Sequence, residues 1–170
     1  MNRTGDVDGE TFRLAMGSLA AAVHIVTAYH DGQDFGLTMT AVCSLSDDPP
    51  SLILSINRQS RTLDAILRSG KLCVNFLSAS HADLALRFAD QSRSTHRFAQ
   101  GSWRRGLGGM MLLEDCPVSL ECAIMESHPI RSHQILACEI LRVHGSASKD
   151  ILLYAKRDFG RFLALQQNNA

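Results

Sequence analysis

Hydroxyl side chains stand at one junction of the chain where an anion could bind. Ser60 and Thr62 lie where a strand-like run ends and an apolar pattern of helical spacing begins at Leu63. The start of a helix offers unpaired backbone N–H groups and a positive dipole end, and nearby hydroxyls can complete a phosphate site. The alternative is that both residues only cap the helix, which is worth about 1 kcal/mol of stability.

A second hydroxyl-bearing segment, residues 36–50, has the pattern of an extended strand and stops at a double proline. Alternation along it places Thr38 and Thr40 on one face and Met39 and Ala41 on the other, as a half-buried strand requires. The hydroxyls of this segment could therefore line a pocket.

Asn75 is the one polar residue in an apolar run, residues 72–77, that predicts a buried strand. A buried amide without hydrogen bonds costs roughly 1–3 kcal/mol. Either the fold or a ligand must therefore satisfy this side chain.

Residues 90–109 form the most irregular stretch, with arginines around Phe98 and Trp103 followed by the run Gly-Leu-Gly-Gly. This pattern predicts a mobile or active-site loop. A dinucleotide fingerprint needs a strand before its glycines and a helix after them, and neither is predicted here, so a Rossmann fold is excluded. Arg97 in this loop and Arg157 near the C-terminus are either ligand contacts or ordinary solvated charges.

The elements that must position these residues are mostly strands. Helical patterns occur at residues 10–18, from residue 63, behind a capping box of Ser80 and Asp83, and at residues 157–165. Strand patterns occur at residues 21–29, 35–46, 51–58, 72–77, 118–127, 133–144 and 151–154. Closely spaced strands without regular helix alternation favour a mainly β fold, a closed or partly closed antiparallel barrel. A chain of 170 residues fits one domain, 1–170.

The charge and hydropathy patterns argue against a nucleic-acid partner and against a membrane span. The 17 basic and 17 acidic residues cancel, and no basic run is interleaved with aromatic residues, so nucleic acid is not an expected partner. The polar N-terminus and the strand-sized apolar runs predict neither a signal peptide nor a membrane span. We therefore expect a cytoplasmic protein.

The cysteines and histidines do not have the spacing of a metal site. No C-x-x-C or H-E-x-x-H motif occurs, so no metal is predicted. Four of the five cysteines lie in strand-like apolar runs, which predicts buried free thiols. These four are Cys43, Cys73, Cys122 and Cys138.

Several stretches of the chain, taken together and in their order along it, resemble the short-chain flavin reductases, whose fold is a split β-barrel that binds FMN. The resemblance extends to the reductases of 4-hydroxyphenylacetate hydroxylase and of pyrimidine ring opening, most closely at Thr40 to Ser44 and Cys73 to Asn75. The matching stretches are residues 12–28, 36–50, 55–60, 71–78, 96–98, 132–136 and 152–159.

The resemblance implies a cytoplasmic homodimer with a Greek-key split antiparallel barrel and a few short helices. It also implies an enzyme that oxidises NADH or NADPH, reduces FMN or FAD by hydride transfer, and passes the reduced flavin to a partner monooxygenase. Two alternatives from other classes are a split-barrel oxidase of the pyridoxamine-phosphate type and a non-catalytic flavin-binding module.

The resemblance also assigns residues to the site. The isoalloxazine segment of the family falls on Thr38, Met39, Thr40 and Ala41, and its phosphate and ribityl contacts fall on Asn57, Ser60 and Thr62. The remaining cofactor contacts implied are Asn75, Phe88, Arg97, Phe98, Tyr154 and Arg157. His133 corresponds to a family histidine on the nicotinamide side, where it would orient the nicotinamide or tune the flavin environment.

Three departures from the family pattern affect these assignments. Ala41 replaces a common serine, Ser132 replaces a common aspartate, and Cys138 replaces a common glycine. A flavin hydrogen bond at Ala41 would then be absent or come from a backbone group.

Overall fold

The computed structural model describes residues 7–90, 96–145 and 150–165, and their fold is mainly β. All of the paired strands are antiparallel. Among the described residues, no helix is long and apolar enough to cross a membrane.

The elements follow one another in short segments. The helices are α1 (Gly9–Met16), α2 (Arg61–Ser69) and α3 (Ala82–Ala89), and the 3-10 turn Ala79–His81 leads into α3. The strands are β1 (Ala21–Ala22), β2 (His24–His30), β3 (Gln33–Met39), β4 (Val42–Asp47), β5 (Pro50–Asn57), β6 (Lys71–Phe76), β7 (Trp103–Arg105), β8 (Met111–Leu113), β9 (Val118–Ile130), β10 (His133–Gly145), β11 (Leu152–Ala155) and β12 (Asp158–Arg161).

A seven-stranded sheet in the order β3-β2-β6-β9-β10-β5-β4 forms the body of the protein. Successive residues of a strand point to opposite faces, and both Ile25 and Val26 of β2 are fully buried. Val26 belongs to a core that includes Ile66 of α2, whereas Ile25 belongs to a second core with Phe88 of α3 and Leu152 of β11. The sheet is therefore covered on both faces near β2, with α2 and α3 in different cores.

The predicted strand at residues 35–46 is wrong as a single element, because β3 and β4 are separate strands joined through Thr40 and Ala41. β3 pairs with β2 at one edge of the sheet, and β4 pairs with β5 at the other. A two-residue connection lets Met39 and Val42 stand no more than about 11 Å apart. In a flat seven-stranded sheet these edges would be roughly 29 Å apart, so the sheet must curl strongly at this corner.

The predicted closing helix at residues 157–165 is also wrong. The chain instead forms the hairpin of β11 and β12, which joins β1 in a small second sheet. Lys156 and Arg157 both have left-handed backbone angles, with φ of 52° and 65°. Two consecutive residues of this kind make a tight hairpin turn that matches strand twist, so the turn prevents a helix from beginning at Arg157.

The capping box predicted for Ser80 and Asp83 lies instead at Ser78 and His81. The backbone N–H of Ser78 donates to Nδ1 of His81 at 3.1 Å. The chain makes one 3-10 turn before α3 begins, which shifts the capping residues toward the N-terminus. The apolar face predicted for this helix is confirmed, because Leu84, Ala85 and Phe88 are buried.

Three of the four cysteines predicted to be buried are buried, namely Cys73, Cys122 and Cys138. Burial raises the pKa of the Cys122 and Cys138 thiols to about 12, so both are protonated at neutral pH. The prediction is wrong for Cys43, which is exposed because β4 lies at the edge of the large sheet.

Candidate functional site

A cleft of about 700 Å³ opens where β3, the end of β5, the start of α2 and the end of α3 meet. Residues 96–99 form its remaining wall, whereas residues 91–95 of the predicted loop lie outside the described residues. The cleft brings together seven of the residues named from the sequence. They are Thr38, Asn57, Ser60, Thr62, Phe88, Arg97 and Phe98.

The start of α2 presents two hydroxyl side chains to this cleft. Ser60 occupies the N-cap position, with φ −74° and ψ 124°, but its side chain makes no capping hydrogen bond. Thr62 is only 3% exposed, and its hydroxyl makes no hydrogen bond with any of the described residues. The capping alternative is therefore wrong for both hydroxyls, and neither contributes to the helix through a capping bond.

Asn57 shapes the turn that leads from β5 into α2. Its Oδ1 accepts a hydrogen bond from the backbone N–H of Gln59 at 2.9 Å. Its carbonyl accepts a second bond from the N–H of Ser60 at 3.0 Å. The first residues of α2 line the cleft after this turn, and their N–H groups have no acceptor within the helix.

Arg97 ties the loop wall of the cleft to β3 and α3. Its guanidinium donates to the carbonyl of Gly36 and, at 2.7 Å, to the carbonyl of Asp90. Burial lowers the pKa of Arg97, and the positive charge of Arg61 acts in the same direction, whereas Asp90 opposes both. Its Nε is buried and has no hydrogen-bond partner among the described residues.

An aromatic cluster forms the floor on the α3 side. Phe88 and Phe98 meet edge to face with ring centroids 5.0 Å apart, and Trp103 lies 5.2 Å from Phe98. A side chain at Gly36 would collide with this cluster, because a Cβ there would stand 2.6 Å from the Phe88 ring. The glycine therefore lets β3 approach the aromatic rings directly.

The flavin segment assigned by resemblance is only partly in the cleft. Thr38 lines it, although its hydroxyl proton is donated to the carbonyl of Ala85 at 2.6 Å and holds α3 against β3. Met39 is buried, whereas Thr40 and Ala41 are exposed in the connection to β4. The predicted alternation fails after Met39 because the strand ends there.

Three other assigned residues lie away from the cleft. Asn75 is fully buried, and its amide donates to the carbonyl of Ile25 at 3.1 Å while its Oδ1 accepts from Leu113 N–H and Ser119 Oγ. The fold thus satisfies Asn75, as the structural alternative requires. Tyr154 and Arg157 belong to the β11–β12 hairpin, where Tyr154 packs on Phe159 with ring centroids 5.5 Å apart.

His133 stands close to the rim of the cleft without lining it. It is the first residue of β10 and pairs directly with Asn57 of β5. Its ring is exposed, and the ring Nδ1 lies 2.9 Å from the hydroxyl Oγ of Ser132. The imidazole is therefore accessible next to the turn that bears Ser60.

The cleft also contains polar residues that the sequence did not indicate, notably Asp34, Arg61 and His96. Asp34 is held by Arg105, whose Nη2 lies 2.9 Å from its Oδ2. Arg105 also donates to the carbonyl of Gly109 at 2.7 Å. The Gly-Leu-Gly-Gly run is thereby fixed to the cleft wall, a contact between residues 71 positions apart that no local pattern predicts.

Comparisons with known proteins place this chain in a defined family. The FMN reductase (NADH) RutF of Methylorubrum populi is 40% identical over 153 residues, which are 90% of this chain and 76% of that protein. A proposed flavin reductase from Haemophilus somnus has a TM-score of 0.88 at 35% identity and covers 92% of this chain and 100% of its own. A flavin reductase domain protein from an Arthrobacter species has a TM-score of 0.86 at 25% identity, with 95% and 99% covered. Residues 16–162 match the family model of the flavin reductase like domain, and the chain belongs to that family.

Proposed function

We propose that this protein is an NADH-dependent reductase of FMN. The observation that carries the proposal is the uncommitted hydroxyl pair of Ser60 and Thr62, which faces a cleft at the start of α2. FMN has a phosphate at one end and a flat aromatic ring system at the other. The named relative from Methylorubrum populi is described as an FMN reductase that uses NADH.

The residues of the cleft fit a flavin mononucleotide. The N-terminal N–H groups of α2, with Ser60 and Thr62, offer donors for a phosphate. The orphaned Nε of Arg97 adds one more buried donor in need of an acceptor. A volume of about 700 Å³ lies within the range of roughly 300–1,000 Å³ that small-molecule sites occupy.

Little acid or base chemistry is required of the protein. When bound, the flavin and the nicotinamide supply the hydride acceptor and donor themselves. The chain's own part is to hold both rings in register, which removes the entropic cost of aligning them. Among its side chains, His133 beside Asn57 is the one that we assign to the nicotinamide side, where it orients the ring or adjusts the local polarity.

The β3–β4 corner and the second sheet support the further proposal of a split antiparallel barrel with Greek-key connections. The edges of the large sheet come together at Thr40 and Ala41, as a rolled-up sheet requires. β3 and β4 are not hydrogen-bonded to each other, which is consistent with an incomplete closure.

A homodimer is supported by the surface of α1. This helix has no buried residue, and Phe12 and Met16, which share one face of it, are 57% and 48% exposed. Leu19, just after the helix, is 61% exposed. Clustered apolar surface of this kind marks a site of protein association. Sedimentation should then give twice the 18.6 kDa of one chain, and a monomeric species at working concentrations would contradict the dimer.

The partner that consumes the product is proposed to be an oxygenase that takes reduced flavin, with the whole exchange in the cytoplasm. Use of NADPH and of FAD remains part of the proposal and has its own test. Steady-state oxidation should be measured with both nicotinamides and with FMN, FAD and riboflavin.

The primary test follows absorbance of NADH in the presence of free FMN. Catalytic loss of NADH that continues over many equivalents supports a reductase. Binding of FMN without NADH oxidation would contradict the proposal and favour a non-catalytic flavin module. Oxidation of pyridoxamine phosphate with retained flavin would favour the oxidase alternative.

A further inference from the structure

Arg61 occupies a position where the helix itself gains nothing from a positive charge. It is the first residue of α2, between Ser60 and Thr62, and it lines the same cleft. A cation at a helix N-terminus is opposed by the helix dipole, which favours anions there. A residue that breaks a local rule without an evident local gain is a candidate for function.

Within the described part of the chain, the side chain of Arg61 also has no partner that neutralises its charge. It makes no hydrogen bond or ion pair with any described residue. The other arginine of the helix, Arg68, is by contrast paired with Asp64 one turn earlier, with Nε and Oδ2 3.1 Å apart. The charge of Arg61 therefore remains available to a ligand.

The rest of the cleft adds to this positive field. Arg97 brings a second guanidinium to the lining, close enough that the charge of Arg61 contributes, after burial, to lowering its pKa. Asp34 is the one carboxylate among the described lining residues, and Arg105 pairs with it. An anion placed beside Arg61 would relieve the repulsion between the two arginines.

We propose that Arg61 is a specificity-determining residue that pairs with the terminal phosphate of FMN and favours FMN over riboflavin and FAD. The inference depends on the proposed function, because it names the group read at that same site. A terminal phosphate carries a charge of about −1.5 to −2 near neutral pH. A guanidinium can bind two of its oxygens at once, whereas riboflavin lacks the phosphate and the phosphates of FAD are linked within a diphosphate.

The experiment measures the dissociation constants of FMN, riboflavin and FAD by quenching of flavin fluorescence. Three proteins are compared: the wild type, Arg61→Gln, and Arg68→Gln as a control on the same helix. We expect Arg61→Gln to raise the dissociation constant of FMN by at least about tenfold, which corresponds to about 1.4 kcal/mol of binding free energy. The dissociation constant of riboflavin should change by less than about twofold, which corresponds to under roughly 0.4 kcal/mol. Arg68→Gln should have the dissociation constants of the wild type for all three flavins.

Salt gives a second readout that a purely structural effect would not reproduce. Added salt screens exposed charge pairs, so FMN binding to the wild type should weaken as ionic strength rises. Arg61→Gln should lose most of this dependence, and Arg61→Lys should keep part of it. Equal thermal unfolding temperatures would establish that the variants are folded.

The possible failures are distinguishable. If the wild type binds FMN and oxidises NADH but Arg61→Gln keeps the wild-type ratio of FMN to riboflavin affinity, the role of Arg61 is overturned and the reductase proposal stands. If the wild type binds no flavin, the proposed function fails and the inference fails with it.

Discussion

The hydroxyl oxygen of a serine at a helix start ordinarily accepts a hydrogen bond from a backbone N–H of the first turn, yet Ser60 makes no such bond to α2. Thr62, two residues later, is nearly fully buried and makes no hydrogen bond with any described residue. Because Thr62 also lines the cleft, its hydroxyl is available to a ligand there. A phosphate at this position would satisfy both residues and the N–H groups at once.

The first prediction follows from this arrangement. The double variant Ser60→Ala with Thr62→Ala should weaken FMN binding on the order of 10- to 100-fold, because it removes hydrogen bonds to a charged group. Riboflavin affinity should change far less, since it has no phosphate. Titration of each flavin checks this, and an equal loss for both ligands would contradict the phosphate assignment.

His133 is the residue that we propose for the nicotinamide side of the site. Replacement of His133 by Ala should lower turnover with NADH while FMN affinity stays near its wild-type value, because the ring stands beside Asn57 and outside the cleft lining. Steady-state kinetics and fluorescence titration measure the two quantities separately. Ser132→Ala is a suitable control for the neighbouring hydroxyl, and unchanged turnover in His133→Ala would remove the histidine from the site.

At the scale of elements, the contact between β3 and α3 determines the shape of the cleft. Gly36→Ala should destabilise the protein by about 1–3 kcal/mol, the usual cost of overpacking, because its Cβ would enter the Phe88 ring. It should also shift Phe98, which lies 3.3 Å from the same point, and so weaken flavin binding. Gly160→Ala is the matched control, since nothing lies within 4 Å of a Cβ there. Chemical denaturation measures the difference, and equal stability of the two variants would contradict this packing.

Elements with a strong local pattern were predictable from the sequence. β5 and β6 are apolar runs bounded by polar residues, and the start of α2 follows from the apolar spacing behind Ser60. The break between β3 and β4 was not predictable in this way. It depends on which distant strand pairs with each half, β2 with one and β5 with the other.

The same distinction applies to the cleft. The Ser60 and Thr62 pair could be found because a helix start is a local feature. Asp34 could not be found, since its place in the cleft depends on a partner, Arg105, that is distant in the sequence. The hairpin turn at Lys156 and Arg157 could not be recognised from its sequence, although a turn is a local feature. Both residues have positive φ, which long charged residues rarely adopt.

At the scale of the whole molecule, two cores share the strand β2, and one of its residues carries a titratable group into the interior. His24 is 3% exposed, and its ring packs edge to face on Phe76 with centroids 4.5 Å apart. Burial lowers the pKa of His24 from 6.5 to about 4, although a hydrogen bond with the backbone of Met39 acts against this. The folded protein therefore holds the histidine neutral in weak acid.

The stability of the whole fold should depend on pH through this residue. Between pH 6.5 and about 4 the unfolded chain takes up the proton and the folded chain does not, so the free energy of unfolding falls as pH falls. A pKa difference of this size corresponds to roughly 3 kcal/mol of stability, which is lost progressively across that window; below it the contribution of His24 no longer changes.

Denaturation at a series of pH values measures the slope of stability against pH in the wild type and in His24→Leu, which has no group to titrate there. The difference between the two slopes isolates His24 from the carboxylates and the other histidines, because those are common to both proteins. Parallel slopes would mean that His24 is protonated in the folded state and that the strand accommodates its charge.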